Sequence, residues 1–174
     1  MTLKRPLPKR PGLPGFDYSA AGYYFATFVT DDRGCTLSSV VDFRIVLSDL
    51  GGIVEEQLLG IPQRFAHVSV DACVIMPNHV HALFRFEEAG KPVTLSRIVN
   101  EVKSKTTVRY NKLRNSRSAV WQYGFYDVIV RSDRQLFSIR QYIENNPIKW
   151  HLDELNPASA GTAQGTAVRL ATLE

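Results

Sequence analysis

The chain has 174 residues, 44% of them hydrophobic, which is enough for one domain with a proper core. No apolar run approaches the ~20 residues of a membrane span. Met1 to Pro6 carry charge and proline but no apolar stretch, so no secretory leader is expected and the cytoplasm is the expected compartment. The net charge is only +4, with pI near 9.2, but it is unevenly spread. Arg97, Lys103, Lys105, Arg109, Lys112, Arg114 and Arg117 face a single acid, Glu101, within one segment. Lys4, Arg5, Lys9 and Arg10 form a second group and Arg131, Arg134 and Arg140 a third, a pattern that points to a polyanionic partner. Two cysteines are too few for a disulfide framework, and Cys73 reads as a buried, inert strand residue.

Residues 1 to about 18 are proline-rich and read as an irregular basic arm. Tyr23 to Thr30 is aromatic and β-branched, a first and central strand. Phe43, Ile45 and Leu47 alternate with Arg44 and Val46, predicting a short strand in a hairpin with Cys35 to Ser39. Ser48 then caps a helix on the spacing Leu50, Ile53, Val54, Leu58, weakened by Gly51-Gly52. His67 to Met76 and Val80 to Phe86 are two further strands joined at Pro77-Asn78. A helix capped by Thr94 follows, with Leu95, Ile98, Val99, Val102, Thr106, Tyr110 and Leu113 as its buried stripe. Lys105, Arg109 and Lys112 form a basic ridge beside that stripe. Asp127 to Arg131 is a last strand, and Ser132 or Asp133 caps a final helix that runs towards Asn146 before Pro147. The order strand, helix, strand, strand, helix, strand, plus an extra C-terminal helix, predicts a ferredoxin-like α+β sandwich with a central antiparallel sheet. The expected domain spans 19–155, with a small, polar, mobile tail over 156–174.

Two segments carry chemistry. In Met76-Pro77-Asn78-His79-Val80-His81 the imidazoles stand at i and i+2 of a strand, so they share one face while Val80 points into the core behind them. That places two nitrogen ligands side by side. In Tyr142-Ile143-Glu144-Asn145-Asn146-Pro147, Tyr142 and Asn146 are four apart and share a helical face. A phenol is a weak nucleophile at neutral pH, with an ordinary pKa of about 10, unless a metal neutralises the phosphate it attacks. Two imidazoles and one amide oxygen suit Mg²⁺ or Mn²⁺ better than a structural zinc.

The order His79-Val80-His81, then Tyr142-Ile143 with Asn146-Pro147, resembles the single-tyrosine HUH transposases, and most of all the REP-associated tyrosine transposases. The likeness runs from about Tyr23 to Trp150 and includes Trp121-Gln122, Phe125-Tyr126-Asp127 and Ile129-Val130-Arg131. It implies a fold with the histidine pair on a central strand and the tyrosine helix packed across it. It implies His79 and His81 as metal ligands, Asn146 as the third, and Tyr142 as the nucleophile. Val128 stands where many relatives have histidine, which removes any phosphate or DNA contact expected of that position.

The implied activity is metal-assisted attack by Tyr142 on a phosphodiester of single-stranded DNA beside a hairpin, leaving a 5′-phosphotyrosine and a free 3′-hydroxyl. Lys105, Arg109, Lys112, Arg131 and Arg134 are the expected backbone contacts, with strong salt dependence. Tyr18, Tyr123 and Tyr126 are candidates for stacking on bases. The active form is either a monomer or a homodimer. Two other readings share these residues: a domesticated hairpin-binding protein that no longer cleaves, and a small replication-initiator-like nickase, which the His-x-His-then-Tyr order disfavours. An RNA-binding ferredoxin-like module would want aromatics on the central strands where this chain has histidines.

Overall fold

The computed structural model describes residues 15–88 and 92–161. The basic cluster at Lys4 to Arg10 and the end of the tail lie outside the described residues. Four strands form one antiparallel sheet: β1 (Gly22–Val29), β4 (Val68–Ile75), β5 (His79–Phe86) and β6 (Tyr126–Val130), in the order β4-β5-β1-β6. The helices are α1 (Asp49–Leu59), a single turn α2 (Ile61–Arg64), α3 (Leu95–Arg114) and α4 (Asp133–Asn145). This is the ferredoxin-like α+β arrangement, with β1 and β5 central as the aromatic and histidine-bearing runs require.

Strand parity divides the molecule into two cores. Tyr24, Ala26 and Phe28 of β1 and Val80, Ala82, Phe84 and Phe86 of β5 pack beneath α1 and α3. Phe25 and Leu83 point the other way and meet Ile139 and Ile143 of α4. His79 and His81 share the parity of Leu83, so they lie on the α4 side.

The caps follow the sequence closely. Ser48 accepts from Gly51 N, Thr94 from Arg97 N, and Ser132, rather than Asp133, from Gln135 N. The Gln135 side chain turns back to accept from Arg131 N at 2.8 Å, satisfying a second free donor. Gly51 has a packing reason to interrupt a helix: a Cβ there would be driven into the carbonyl oxygen of Leu37.

Four expectations are corrected. The hairpin pairs β2 (Ser38–Val41) with β3 (Arg44–Leu47), not Cys35 to Ser39. Its tip is Asp42-Phe43, both at positive φ (49° and 62°), so Phe43 is a turn residue and stands exposed. Cys73 is exposed because β4 is an edge strand. Leu113 is exposed where α3 runs past the core, while Lys103 is buried in its stripe. Finally, the C-terminal tail does not begin at Asn156. That residue is buried, and its Nδ2 donates to Trp150 O at 2.9 Å, followed by a 3-10 turn over Pro157–Gly161.

Candidate active site

β4 and β5 are joined by the three residues Met76, Pro77 and Asn78, with Met76 N donating to His79 O at 2.9 Å. This tight reversal starts β5 at His79 and fixes the phase of both histidines. Both are buried, 0% and 3% exposed, with their rings 4.5 Å apart and their Nε2 atoms 3.0 Å apart. Phe25 stacks on His81 at 5.4 Å and Trp150 lies 6.0 Å from His79.

The outer nitrogens have partners, and that of His79 settles what its inner nitrogen can do. Asn78 Nδ2 donates to Arg33 O at 3.0 Å and to Leu155 O at 2.6 Å. The atom facing His79 Nδ1, at 2.9 Å, is therefore Asn78 Oδ1, which can only accept. His79 Nδ1 must carry the hydrogen, and its Nε2 presents a lone pair. His81 Nδ1 meets Thr27 Oγ1 at 2.7 Å, a hydroxyl able to accept the same kind of bond. A metal-ligating histidine has its outer nitrogen held in a hydrogen bond of this kind, which orients the ring and turns the inner nitrogen towards the ion.

Tyr142 reaches this pair from α4, its hydroxyl 3.2 Å from His81 Nε2 and its ring edge-on to Phe25. α4 is held at the right height by Arg140, whose guanidinium makes two bonds to Asp71 of β4, at 2.8 and 2.7 Å. Arg140 thus belongs to the docking of the helix. Asn146 caps α4 and is buried, and its Oδ1 has no hydrogen-bond partner among the described residues. Asn145 bonds back to Gln141 O.

Asp153 was not among the expected site residues. Its Oδ2 lies 3.7 Å from His79 Nε2, and His79, His81 and Asp153 bring their ligand atoms within 4.8 Å of one another. It lies seven positions beyond Asn146, past Pro147, and no periodicity predicts where that segment returns. Three electron-pair donors thus converge with no hydrogen to place between His79 Nε2 and the carboxylate. The chemistry of this donor set, with the unsatisfied Asn146 oxygen nearby, fits a hard divalent cation.

Burial dominates the electrostatics. It pulls His79 down to about 3, and with help from the neighbouring His79 it pulls His81 well below the ordinary histidine value. Burial, followed by the charge of Asp153, pushes Tyr142 up to about 12, while the Asn146 side chain works the other way. The phenol is thus firmly protonated without a cation, and something positive is needed to make it a nucleophile.

The expected DNA-contact residues separate into two groups. Arg131 and Arg134 are exposed where β6 passes into α4, Arg131 just ahead of the helix cap and Arg134 in the first turn of the tyrosine helix. The ridge on α3 belongs to the opposite layer, across the sheet from the histidines. There Lys105 pairs with Glu101 at 3.2 Å and Arg109 pairs with Glu56 of α1. Lys103 leaves the basic surface altogether, donating to Gln122 O at 2.6 Å and Gly124 O at 2.8 Å. Tyr18 packs on the larger core, Tyr126 is half-buried and Tyr123 is fully outside. Val128 packs into the core beneath α4.

Fold and site together define a tyrosine-and-histidine centre on a ferredoxin-like sheet, and comparison with known proteins agrees. The family model described as "Transposase IS200 like" matches residues 51–146, more than half of the chain, and the chain belongs to that family. A Haemophilus influenzae protein named "Putative REP-associated tyrosine transposase" is 28% identical over 142 residues, covering 76% of this chain and 74% of its own. A second Haemophilus influenzae protein, named "Uncharacterized protein", is 29% identical over 162 residues, covering 82% and 89%. Among solved structures, a REP-associated tyrosine transposase bound to a REP hairpin matches with a TM-score of 0.57 at 19% identity. It covers 75% of this chain and 68% of the other, a likeness of fold. Among the described residues no helix is long and apolar enough to cross a membrane.

Proposed function

We propose that this transposase-family chain cleaves and rejoins single-stranded DNA at hairpin-flanked sites, with Tyr142 as nucleophile. The observation that carries the reading is the approach of the Tyr142 hydroxyl to a pair of buried imidazoles that turn their Nε2 atoms towards one another, that of His79 with its lone pair free. The Tyr142 oxygen attacks phosphorus and the bond to the 3′ oxygen breaks. The phenolic proton is replaced on the departing 3′-hydroxyl through solvent, and the 5′ end stays on the tyrosine. One phosphodiester replaces another, so a later 3′-hydroxyl reverses the step without ATP. His79, His81 and the oxygen of Asn146 are the residues to hold Mg²⁺ or Mn²⁺. When bound there, such an ion would offset the charge of the phosphate and favour ionisation of the phenol.

Arg131 and Arg134 stand at the start of the tyrosine helix and suit the phosphates of the strand being cut. Lys105, Arg109 and Lys112 suit a hairpin stem that wraps to the other layer. A hairpin partner is supported by the bound REP hairpin of the structural relative.

The test is a denaturing gel of the protein with labelled single-stranded hairpin DNA from the flanks of its own gene, with Mn²⁺ and with EDTA, beside Tyr142→Phe. A metal-dependent covalent adduct lost in the variant is expected. Hairpin binding with no adduct under any condition would instead make the protein a hairpin-binding relative without cleavage.

A further inference from the structure

The segment after the tyrosine helix folds back over the histidines, and its one acidic side chain in the site is divided between two tasks. Asp153 Oδ1 accepts from Leu155 N at 2.7 Å, which fixes the carboxylate plane and leaves Oδ2 directed at His79 Nε2, 3.7 Å away. The segment is anchored by Asn78 Nδ2 donating to Leu155 O, at 2.6 Å, and by Asn156 Nδ2 donating to Trp150 O, at 2.9 Å. Asn78 therefore does two things at once: its oxygen orients His79 and its amide nitrogen secures the loop that brings Asp153. A carboxylate oxygen and a bare imidazole nitrogen are both acceptors. Among the described residues no donor stands between them at this separation, and a cation would reconcile them.

We infer that Asp153 is a direct ligand of the divalent ion, placed by the chain beyond the tyrosine helix in addition to the two histidines. The inference rests on the proposed metal-assisted reading and extends its ligand set. A carboxylate changes the site in kind. Two neutral imidazoles and a neutral amide leave a dication's charge intact, whereas Asp153 reduces it and adds a hard, charged oxygen suited to Mg²⁺ or Mn²⁺. It also makes ion binding and the docking of residues 150–156 a single event, since the ion would tie that segment to β5.

The experiment uses the full chain without DNA. Mn²⁺ is titrated calorimetrically into wild type, Asp153→Asn, Asp153→Ala and His81→Ala, and the shift in thermal midpoint on adding Mn²⁺ is recorded for each. Asn at 153 keeps an oxygen to accept from Leu155 N, so the loop is retained while the charge is lost; the melts in EDTA check that each variant is folded. The expected result is a Kd for Mn²⁺ raised at least about tenfold in both Asp153 variants, with a correspondingly smaller thermal shift. Wild-type Kd and thermal shift in folded Asp153→Asn and Asp153→Ala, with binding abolished in His81→Ala, would overturn the role of Asp153 and leave the metal site standing. No Mn²⁺ binding by wild type, or binding indifferent to His81→Ala, would overturn the metal-assisted reading and this inference with it.

Discussion

The buried histidine pair should make the metal-free protein sensitive to mild acid. An unfolded chain protonates histidine near pH 6.5, whereas in the fold burial holds His79 at about 3 and His81 well below its ordinary value. Between those limits the unfolded chain carries more protons than the folded one. The stability tied to neutral imidazoles is therefore complete above pH ~6.5 and is lost as pH falls towards the folded values. Each pH unit in that window is worth ~1.4 kcal/mol per histidine, so lowering the pH from 6.5 to 5 removes about 2 kcal/mol through His79 alone. His81 adds to the loss in the same direction. Against a total stability of ~5–15 kcal/mol for a domain, this is a large fraction. Urea unfolding in EDTA at pH 7, 6 and 5, for wild type and His79→Gln, measures it. Asp153 has the opposite sign, since burial raises its carboxyl and protonation on the way down favours the fold. The comparison of slopes between wild type and variant removes that contribution. Saturating Mn²⁺ should raise the wild-type stability at every pH but leave the slope in place, because a metal-bound imidazole, like the buried neutral one, takes up no proton while the unfolded chain still does. A wild-type midpoint constant from pH 7 to 5, or a slope unchanged by His79→Gln, would refute the reasoning.

Lys103 supports two carbonyls in the chain leading to β6, so Lys103→Met should cost about 2 kcal/mol in urea unfolding by leaving Gln122 O and Gly124 O unpaired while keeping the side-chain bulk. The same variant should not lower the salt dependence of DNA binding, which it would do if the ammonium contacted phosphate. Arg131→Ala with Arg134→Ala should weaken binding of a short unstructured strand and reduce the slope of log K against log salt by about 1.4, at ~0.7 per phosphate released. Replacing Lys105, Arg109 and Lys112 together should leave that short-strand binding unchanged and weaken only hairpin-bearing DNA. Filter binding over a salt series distinguishes the two sets.

Much of the site's frame was legible because it rests on two short periods. The strand period of two places His79 with His81 and sends Val80 to the core, and the structure buries all three in that arrangement. The helical period puts Asn146 one turn beyond Tyr142 at the end of α4, and both side chains are turned inward from the solvent. Lys103 was legible too, in retrospect: it lies four residues after Val99 and three before Thr106, squarely within the buried stripe, and only its charge argued for the surface. Asp153 was not legible. Its place depends on a reversal after Pro147 that is secured by Asn78, 77 residues from the Leu155 carbonyl it holds. No local pattern encodes a bond of that span.

The position of the basic ridge follows from parity and connection together. In a ferredoxin-like order the two crossover helices cover one face of the sheet, because right-handed crossovers return to the same side. A helix added after the last strand must take the other face. The residues of β5 that pack under α1 and α3 are Val80, Ala82, Phe84 and Phe86, so the histidines between them necessarily face α4. The strand parity and the element order together therefore imply that a ridge on α3 and the tyrosine on α4 lie on opposite layers. A DNA ligand that uses both must pass around an edge of the sheet. A hairpin stem continuous with a single strand has the length and the bend to do that, while an unstructured strand bound only at Tyr142 has no need of the ridge.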